Sequence, residues 1–281
     1  MVKPCVVVPC FNHSADLAAV ARSAQAYCPV LIVDDGSTTP LPELPGCGVL
    51  RFDHNCGKGA ALRAGFQRAA ELGFSHVITL DADGQHFAED IPKFLAAAQA
   101  RPDALVVGVR DFYASGCPAG RRRANNISSF WFRLETGVRL GDSQCGFRCY
   151  PLALTERLDT RSGRYAFELE FLLRLAWLGA PIVAVPVKCV YKPEHVLRSH
   201  FRPVRDFAHI SVMNLGLILE LALNARKSLT NLVMPGNLEN VICAFSPSIT
   251  ERNESASPSA MKRPRLLSRL ITFPLNPRRR Y

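Results

Sequence analysis

The sequence predicts an α/β fold with a mostly parallel sheet covered by helices. Two observations carry that reading: short apolar, β-branched runs without polar alternation, and Ala- and Leu-rich segments of helical length between them. A strand that is apolar on both faces has to be covered on both faces, which is the situation of a parallel sheet between helix layers. Residues 5–9 (CVVVP) read as the first strand and 15–27 as a helix; 30–35 (VLIVDD) is a second strand ending in acids. Residues 49–54 give a strand, 60–72 a helix, 76–83 (HVITLDAD) a strand, 89–100 a helix and 104–110 (ALVVGVR) a strand. Beyond them the pattern loosens. Residues 113–123, rich in glycine, proline and arginine, read as a loop, 124–139 and 165–177 as helices, 147–150 and 182–191 as strands.

Three segments follow from this pattern. Residues 1–195 hold the α/β domain. Residues 196–236 form a basic segment around an amphipathic helix at 207–226, and residues 237–281, rich in Ser, Pro and Arg, read as a disordered tail. That tail holds eight Lys/Arg and three Asp/Glu, so half of the net charge of +10 lies there. A basic surface suits phosphates, lipid head groups or nucleic acid without choosing among them. No interleaving of aromatic and basic residues marks the tail as an RNA module, so no nucleic acid partner is expected. The ten cysteines show no zinc spacing and no leader precedes the first strand, which favours free thiols in a reducing cytoplasm. No run of about 20 apolar residues is present, so no spanning helix is expected.

The chemistry gathers where strands end. The first strand runs into Pro9-Cys10-Phe11-Asn12, the second into Asp34-Asp35-Gly36-Ser37, and a later one into Asp81-Ala82-Asp83-Gly84-Gln85. In an open parallel sheet these carboxyl ends share one edge, where ligands bind. Four carboxylates there repel one another unless a cation or hydrogen-bond donors compensate. Asp81, Asp83 and Gln85 alternate along a segment read as extended, and oxygen-only ligands suit Mg²⁺ or Mn²⁺, which take their remaining ligands from phosphates and water. Asn55-Cys56-Gly57-Lys58-Gly59 opens a helix. It is neither a Walker A motif nor a dinucleotide fingerprint, though glycines beside a lysine suit a phosphate there.

Taken in order, Pro9-x-Phe11-Asn12, Val33-Asp34-Asp35-Gly36-Ser37, Asn55-x-Gly57-Lys58-Gly59 and Asp81-Ala82-Asp83-Gly84-Gln85 resemble the family 2 glycosyltransferases. Together with Asp142-Ser143-Gln144-Cys145-Gly146-Phe147-Arg148 they look most like the dolichol- or polyprenyl-phosphate sugar transferases. The resemblance covers roughly residues 4–195. It implies a GT-A fold, a nucleotide-sugar donor and inversion at the anomeric carbon. It also implies that Pro9, Phe11, Asn12, Asp34 and Asp35 contact the nucleotide, with Lys58 and Asp81 beside it, and that Asp81, Asp83 and Gln85 hold a metal on the diphosphate. His13 stands where such proteins often have an acid.

The acceptor decides what else is needed. A sugar hydroxyl requires a general base, for which Asp142 is the candidate. A lipid phosphate, with a second pKa of about 6, is already a nucleophile at neutral pH and needs cationic clamps. Arg110, Arg122, Arg123 and Arg148 are the candidates, since arginine forks grip phosphate oxygens in pairs. The helix at 207–226, flanked by Arg198, Arg202, Arg205, Arg226 and Lys227, suits the interface of an anionic membrane. The expected protein is therefore peripheral on the cytoplasmic face, with a lipid-phosphate or other membrane acceptor. A sugar nucleotidyltransferase would carry a Gly- and Arg-rich loop after its first strand, and a non-catalytic membrane- or nucleic-acid-binding scaffold would not need both Asp81 and Asp83.

Overall fold

The computed structural model describes residues 1–12, 14–155, 158, 166–191, 215–216 and 241–243. His13, almost all of the segment 196–236 with its helix at 207–226, and all of the tail but three residues lie outside the described residues. The elements run β1 (Pro4–Cys10), α1 (Ser14–Gln25), β2 (Val30–Asp34), β3 (Gly48–Arg51), α2 (Lys58–Glu71), β4 (His76–Thr79), α3 (Ile91–Ala100) and β5 (Leu105–Arg110). They continue with α4 (Ala119–Thr136), β6 (Arg148–Pro151), the one-turn α5 (Leu152–Thr155), α6 (Ala166–Trp177), β7 (Ile182–Val187) and β8 (Val241–Cys243). The sheet order is β3-β2-β1-β4-β6-β5-β7-β8.

Among the described strands, all pairings in the sheet are parallel except those of β6, which is antiparallel to both β4 and β5. This one reversal positions the site. Thr79 at the end of β4 lies opposite Arg148 at the start of β6, so the chain entering β6 arrives at the edge where β1, β2 and β4 leave. The residues after Asp142 are thereby brought beside Asp81.

The apolar runs work as the two-faced burial argument requires. Along β1, Cys5 and Val7 face one core with Leu62, Phe66, Phe167 and Phe171 of α2 and α6. Val6 and Val8 face the other, with Leu17 of α1 and Ile91 and Phe94 of α3. Phe66 and Phe171 meet the Tyr150 ring at centroid distances of 4.9 and 5.0 Å, an aromatic cluster that joins α2 and α6 to β6. Edge strand β3 is largely exposed on its side chains. Burial keeps Cys5 and Cys10 as thiols, pushing both up to about 12.

Of the boundaries that differ from the sequence reading, three matter most. The first turns of α4 include Arg121–Arg123, which the loop assignment for 113–123 missed; proline before a helix start is compatible with its first turn. Strand β4 stops at Thr79, so Asp81 and Asp83 lie in the turn beyond it. Residues 241–243, inside the stretch read as a disordered tail, form the strand β8 beside β7; Val-Ile-Cys is apolar and two of its three residues are β-branched.

Candidate active site

The site is built at the carboxyl edge of β1, β2 and β4. Asp34 closes β2 and is fully buried; its carboxylate accepts from the Ser37 amide at 3.0 Å and the Ser37 hydroxyl, and pairs with Arg51 at 3.1 Å. Asn12 adopts φ +57°, and its amide oxygen accepts the Thr38 N–H at 2.9 Å while its own N–H donates to Ser37 Oγ. These bonds lock the ends of β1 and β2 together. Gly36 completes the lock: at φ +71° a Cβ there would lie 2.5 Å from the His54 carbonyl carbon, so the turn accepts no side chain.

Asp35 is 3% exposed and receives the Cys56 and Gly57 N–H groups at 2.7 and 2.8 Å. The expectation of a phosphate on that glycine turn is thus corrected: these amide donors, just before α2, are bonded to a carboxylate of the protein itself. Lys58, the first residue of α2, points its ammonium at Asp81 (2.7 Å) and Glu168 of α6 (3.0 Å). Burial alone would push the lysine pKa down, but the two carboxylates outweigh it and raise it. Burial likewise opposes ionisation of Asp81, and Lys58 holds its carboxyl below the usual range. Gly146, preceding β6, lies against this cluster, since a Cβ there would be 2.9 Å from Asp81 Oδ2 and 3.1 Å from both Lys58 Nζ and Glu168 Oε1.

Asp83 and Gln85 do not continue an extended strand from Asp81. Residues 82–84 turn, with Gly84 at φ +69°, and the Gln85 N–H donates to Asp83 Oδ1 at 3.0 Å. Asp83 is part-exposed at the edge, while Gln85 is buried and its carbonyl accepts from Val190. The alternation that put three ligands on one side is therefore corrected to two carboxylates around a turn. Among the described residues no cluster of three or more His, Cys, Asp or Glu forms a complete cage. A donor set of one or two carboxylates fits a small hard cation that takes its other ligands from a diphosphate and water.

On the other side of β4, Arg110 ends β5 and grips Asp142 with two parallel bonds, Nε to Oδ2 at 2.6 Å and Nη2 to Oδ1 at 2.9 Å. Its third nitrogen donates to the Tyr191 hydroxyl at 3.0 Å, and its plane lies over Phe112. Burial disfavours the guanidinium charge, and Asp142 more than restores it. The candidate base and the leading candidate clamp are thus each other's partner. Beside them Arg121 lies over the Tyr191 ring and Arg122 over the Tyr113 ring, at 5.7 and 4.9 Å, while Arg123 is exposed.

A family match decides what this edge belongs to. Residues 5–159 match the family described as Glycosyl transferase family 2. The chain belongs to that family. It is 30% identical over 201 residues to the undecaprenyl-phosphate mannosyltransferase of Micrococcus luteus, which spans 66% of this chain and 82% of that one. It is 28% identical to the polyprenol monophosphomannose synthase of Mycolicibacterium smegmatis, over 65% and 75% of the two chains. The UDP-N-acetylglucosamine–dolichyl-phosphate N-acetylglucosaminyltransferase of Methanococcus voltae is 26% identical over 76% of this chain and 97% of its own. S. aureus TarS 1–349 in complex with UDP superimposes with TM-score 0.47 and 16% identity over 73% of this chain and 68% of that one.

In this glycosyltransferase Arg148 is not a clamp. It is fully buried, and its guanidinium donates to the carbonyls of Cys145, Ser143 and Glu168 at 2.7, 2.9 and 2.7 Å. A charged group placed under the 142–147 stretch organises its backbone and is out of reach of a ligand. Glu168, Tyr191 and Arg51 are site residues that motif reading missed. For Glu168 a signal existed: acids inside the apolar run Ala166–Trp177 need a buried partner. Pro9 and Phe11 are partly exposed on the β1 side of the same edge.

Proposed function

We propose that this glycosyltransferase moves a sugar from a nucleoside diphosphate onto a polyprenyl phosphate at an anionic membrane surface. The names of its relatives support a polyprenyl-phosphate acceptor. The observation that carries the proposal is the Arg110–Asp142 pair. A base for a hydroxyl acceptor must be able to take a proton, and Asp142 is 0% exposed with both oxygens in an arginine fork. A phosphate acceptor makes no such demand.

In the reaction, a phosphate oxygen of the lipid forms the new bond to the anomeric carbon as the sugar–diphosphate bond breaks. The bonding electrons leave with the nucleoside diphosphate, and no proton moves. Asp83, with Asp81 behind it, would hold Mg²⁺ or Mn²⁺. When bound, the cation supplies Lewis-acid stabilisation of the departing diphosphate, worth several kcal/mol. Lys58 fixes the Asp81 carboxylate in its charged form. Pro9, Phe11 and Asn12 face the nucleoside, on an edge whose shape depends on Asp34 and Asp35.

Arg121 and Arg122 are the acceptor's cations, with Arg123 beside them. They sit in the first turns of α4, where the helix dipole already disfavours positive charge and the helix's own first turn carries no acid. An anionic phosphate at that end would satisfy both the arginines and the helix. Stacking on Tyr191 and Tyr113 holds two of the guanidinium planes while leaving their N–H groups to a ligand.

The test is a screen of nucleotide sugars with Mg²⁺ or Mn²⁺, with and without polyprenyl phosphate. Acceptor-dependent release of the nucleoside diphosphate with a phosphodiester-linked product is the expected result. Transfer to a sugar or lipid hydroxyl, without polyprenyl phosphate, would overturn it.

A further inference from the structure

Helix α4 presents an apolar stripe that the described residues leave exposed. Ile127, Phe130, Trp131 and Leu134 are 50, 60, 44 and 65% exposed. Their spacing of i, i+3, i+4 and i+7 places them within an arc of roughly 100° on one side of the helix. The opposite side is anchored: Phe132 and Asn125 are buried, Asn125 donates to the Gly141 carbonyl, and Ser129 bonds the Ser143 amide and hydroxyl. The helix carries four arginines against one glutamate, and Arg123, one turn before Ile127, continues the exposed stripe.

We infer that this stripe of α4 seats the protein on an anionic lipid bilayer. The inference deepens the lipid-acceptor reading and rests on it for the choice of occupant. A bilayer interface is suggested by three things together: apolar side chains aligned in one plane, an indole among them, and arginines at the flank rather than acids. Two aromatic rings exposed side by side, Phe130 and Trp131 at 5.7 Å, suit the level of the head groups. The buried side of the same helix holds Gly141 and Ser143, which flank Asp142. A bilayer against the stripe therefore lies on the opposite side of α4 from the residues flanking Asp142, and Arg121 and Arg122 lie in the first turns of the same helix.

The protein has two tryptophans, so Trp177→Phe in the full chain leaves Trp131 as the reporter. With phosphatidylglycerol vesicles free of polyprenyl phosphate, Trp131 emission is expected to shift to the blue and to be quenched by brominated lipid. Phosphatidylcholine vesicles should give a weaker response. Phe130→Glu with Leu134→Glu should reduce vesicle affinity tenfold or more while leaving turnover of a water-soluble, short-chain polyprenyl phosphate unchanged. Sedimentation with vesicles while Trp131 emission stays fixed would overturn the inference, as would a shift that follows protein concentration without lipid, which marks a second copy. Loss of turnover with the soluble acceptor would also overturn it, since the stripe would then serve the site or the fold. Vesicle binding through Trp131 in a protein that ignores polyprenyl phosphate would sink the acceptor reading and leave α4 as the membrane surface.

Discussion

The two halves of the active edge manage charge in opposite ways. Around β1, β2 and β4 acids are in excess, and Asp81 and Asp83 stay partly open to solvent. Around β5 and β6 every buried ion is closed: Arg110 on Asp142, Arg148 on three carbonyls. An open acidic half can accept a cation and the diphosphate that comes with it. A closed half cannot exchange protons cheaply, so its ions shape the site and leave the chemistry to what binds there.

The largest expected effect tests the open half. Asp83→Ala should lower turnover by about three orders of magnitude or more, on the several kcal/mol attributed to a Lewis acid, and leave unfolding unchanged. EDTA should do the same to the wild type, with recovery on Mn²⁺ or Mg²⁺. Full activity in EDTA would remove the cation from Asp81 and Asp83, and with it the contrast between the halves.

The closed half should respond in stability. Arg110→Ala leaves Asp142 buried and unpaired, which typically costs about 3–5 kcal/mol in urea unfolding. Arg110→Met with Asp142→Leu should cost clearly less, because no lone charge remains. Asp142→Asn should lower kcat only modestly. A variant Asp142→Asn that unfolds like wild type but has lost kcat would make Asp142 the base and favour a hydroxyl acceptor.

Gly146 joins the halves. Gly146→Ala pushes a methyl into Asp81, Lys58 and Glu168 together, with an expected loss of about 1–3 kcal/mol and a raised KM for the donor. An unchanged donor KM would show that the cluster yields freely and does not position the diphosphate.

The open half was legible in the sequence because its acids come in two pairs, each at or just beyond the end of a strand. Asp34, Asp35, Asp81 and Asp83 need only the rule that parallel strands end together. The closed half was not, because its meaning lies in long-range pairs. Arg110 and Asp142 are 32 positions apart, and nothing local says that a candidate clamp and a candidate base will neutralise each other. Arg148 looked like a clamp because sequence shows a charge and not the carbonyls around it. Lys58 looked like a phosphate ligand until Glu168, on a helix far along the chain, was brought to it. The turn at Gly84 broke the alternation expected of Asp81, Asp83 and Gln85, since a strand's end depends on its neighbours in the sheet as much as on its residues.

The smallest effect belongs to α4 and is visible only through pH. Among the described residues neither carboxylate oxygen of Glu135 has a hydrogen-bond partner, and burial raises its carboxyl to about 7. In the unfolded chain the same group titrates near its ordinary value of about 4.3. Between those values the folded protein holds more protons than the unfolded one, so this group's contribution to stability falls as pH rises through the window. Below it both states are protonated and nothing is lost; above about 7 the penalty is complete and constant. Glu135→Gln should therefore match the wild-type Tm below about pH 3.5, exceed it increasingly toward pH 7, and keep a steady lead of a few degrees at pH 8. The contrast with the other half makes this informative, because Asp81, held charged by Lys58, should show the opposite slope. It adds stability above its unfolded pKa and loses it as pH falls through the lower folded value. A Tm difference for Glu135→Gln that does not vary with pH would mean that the carboxyl is solvated or paired in solution. The side of α4 facing Trp177, whose indole donates to the Glu135 carbonyl at 3.1 Å, would then be wetter than its packing implies.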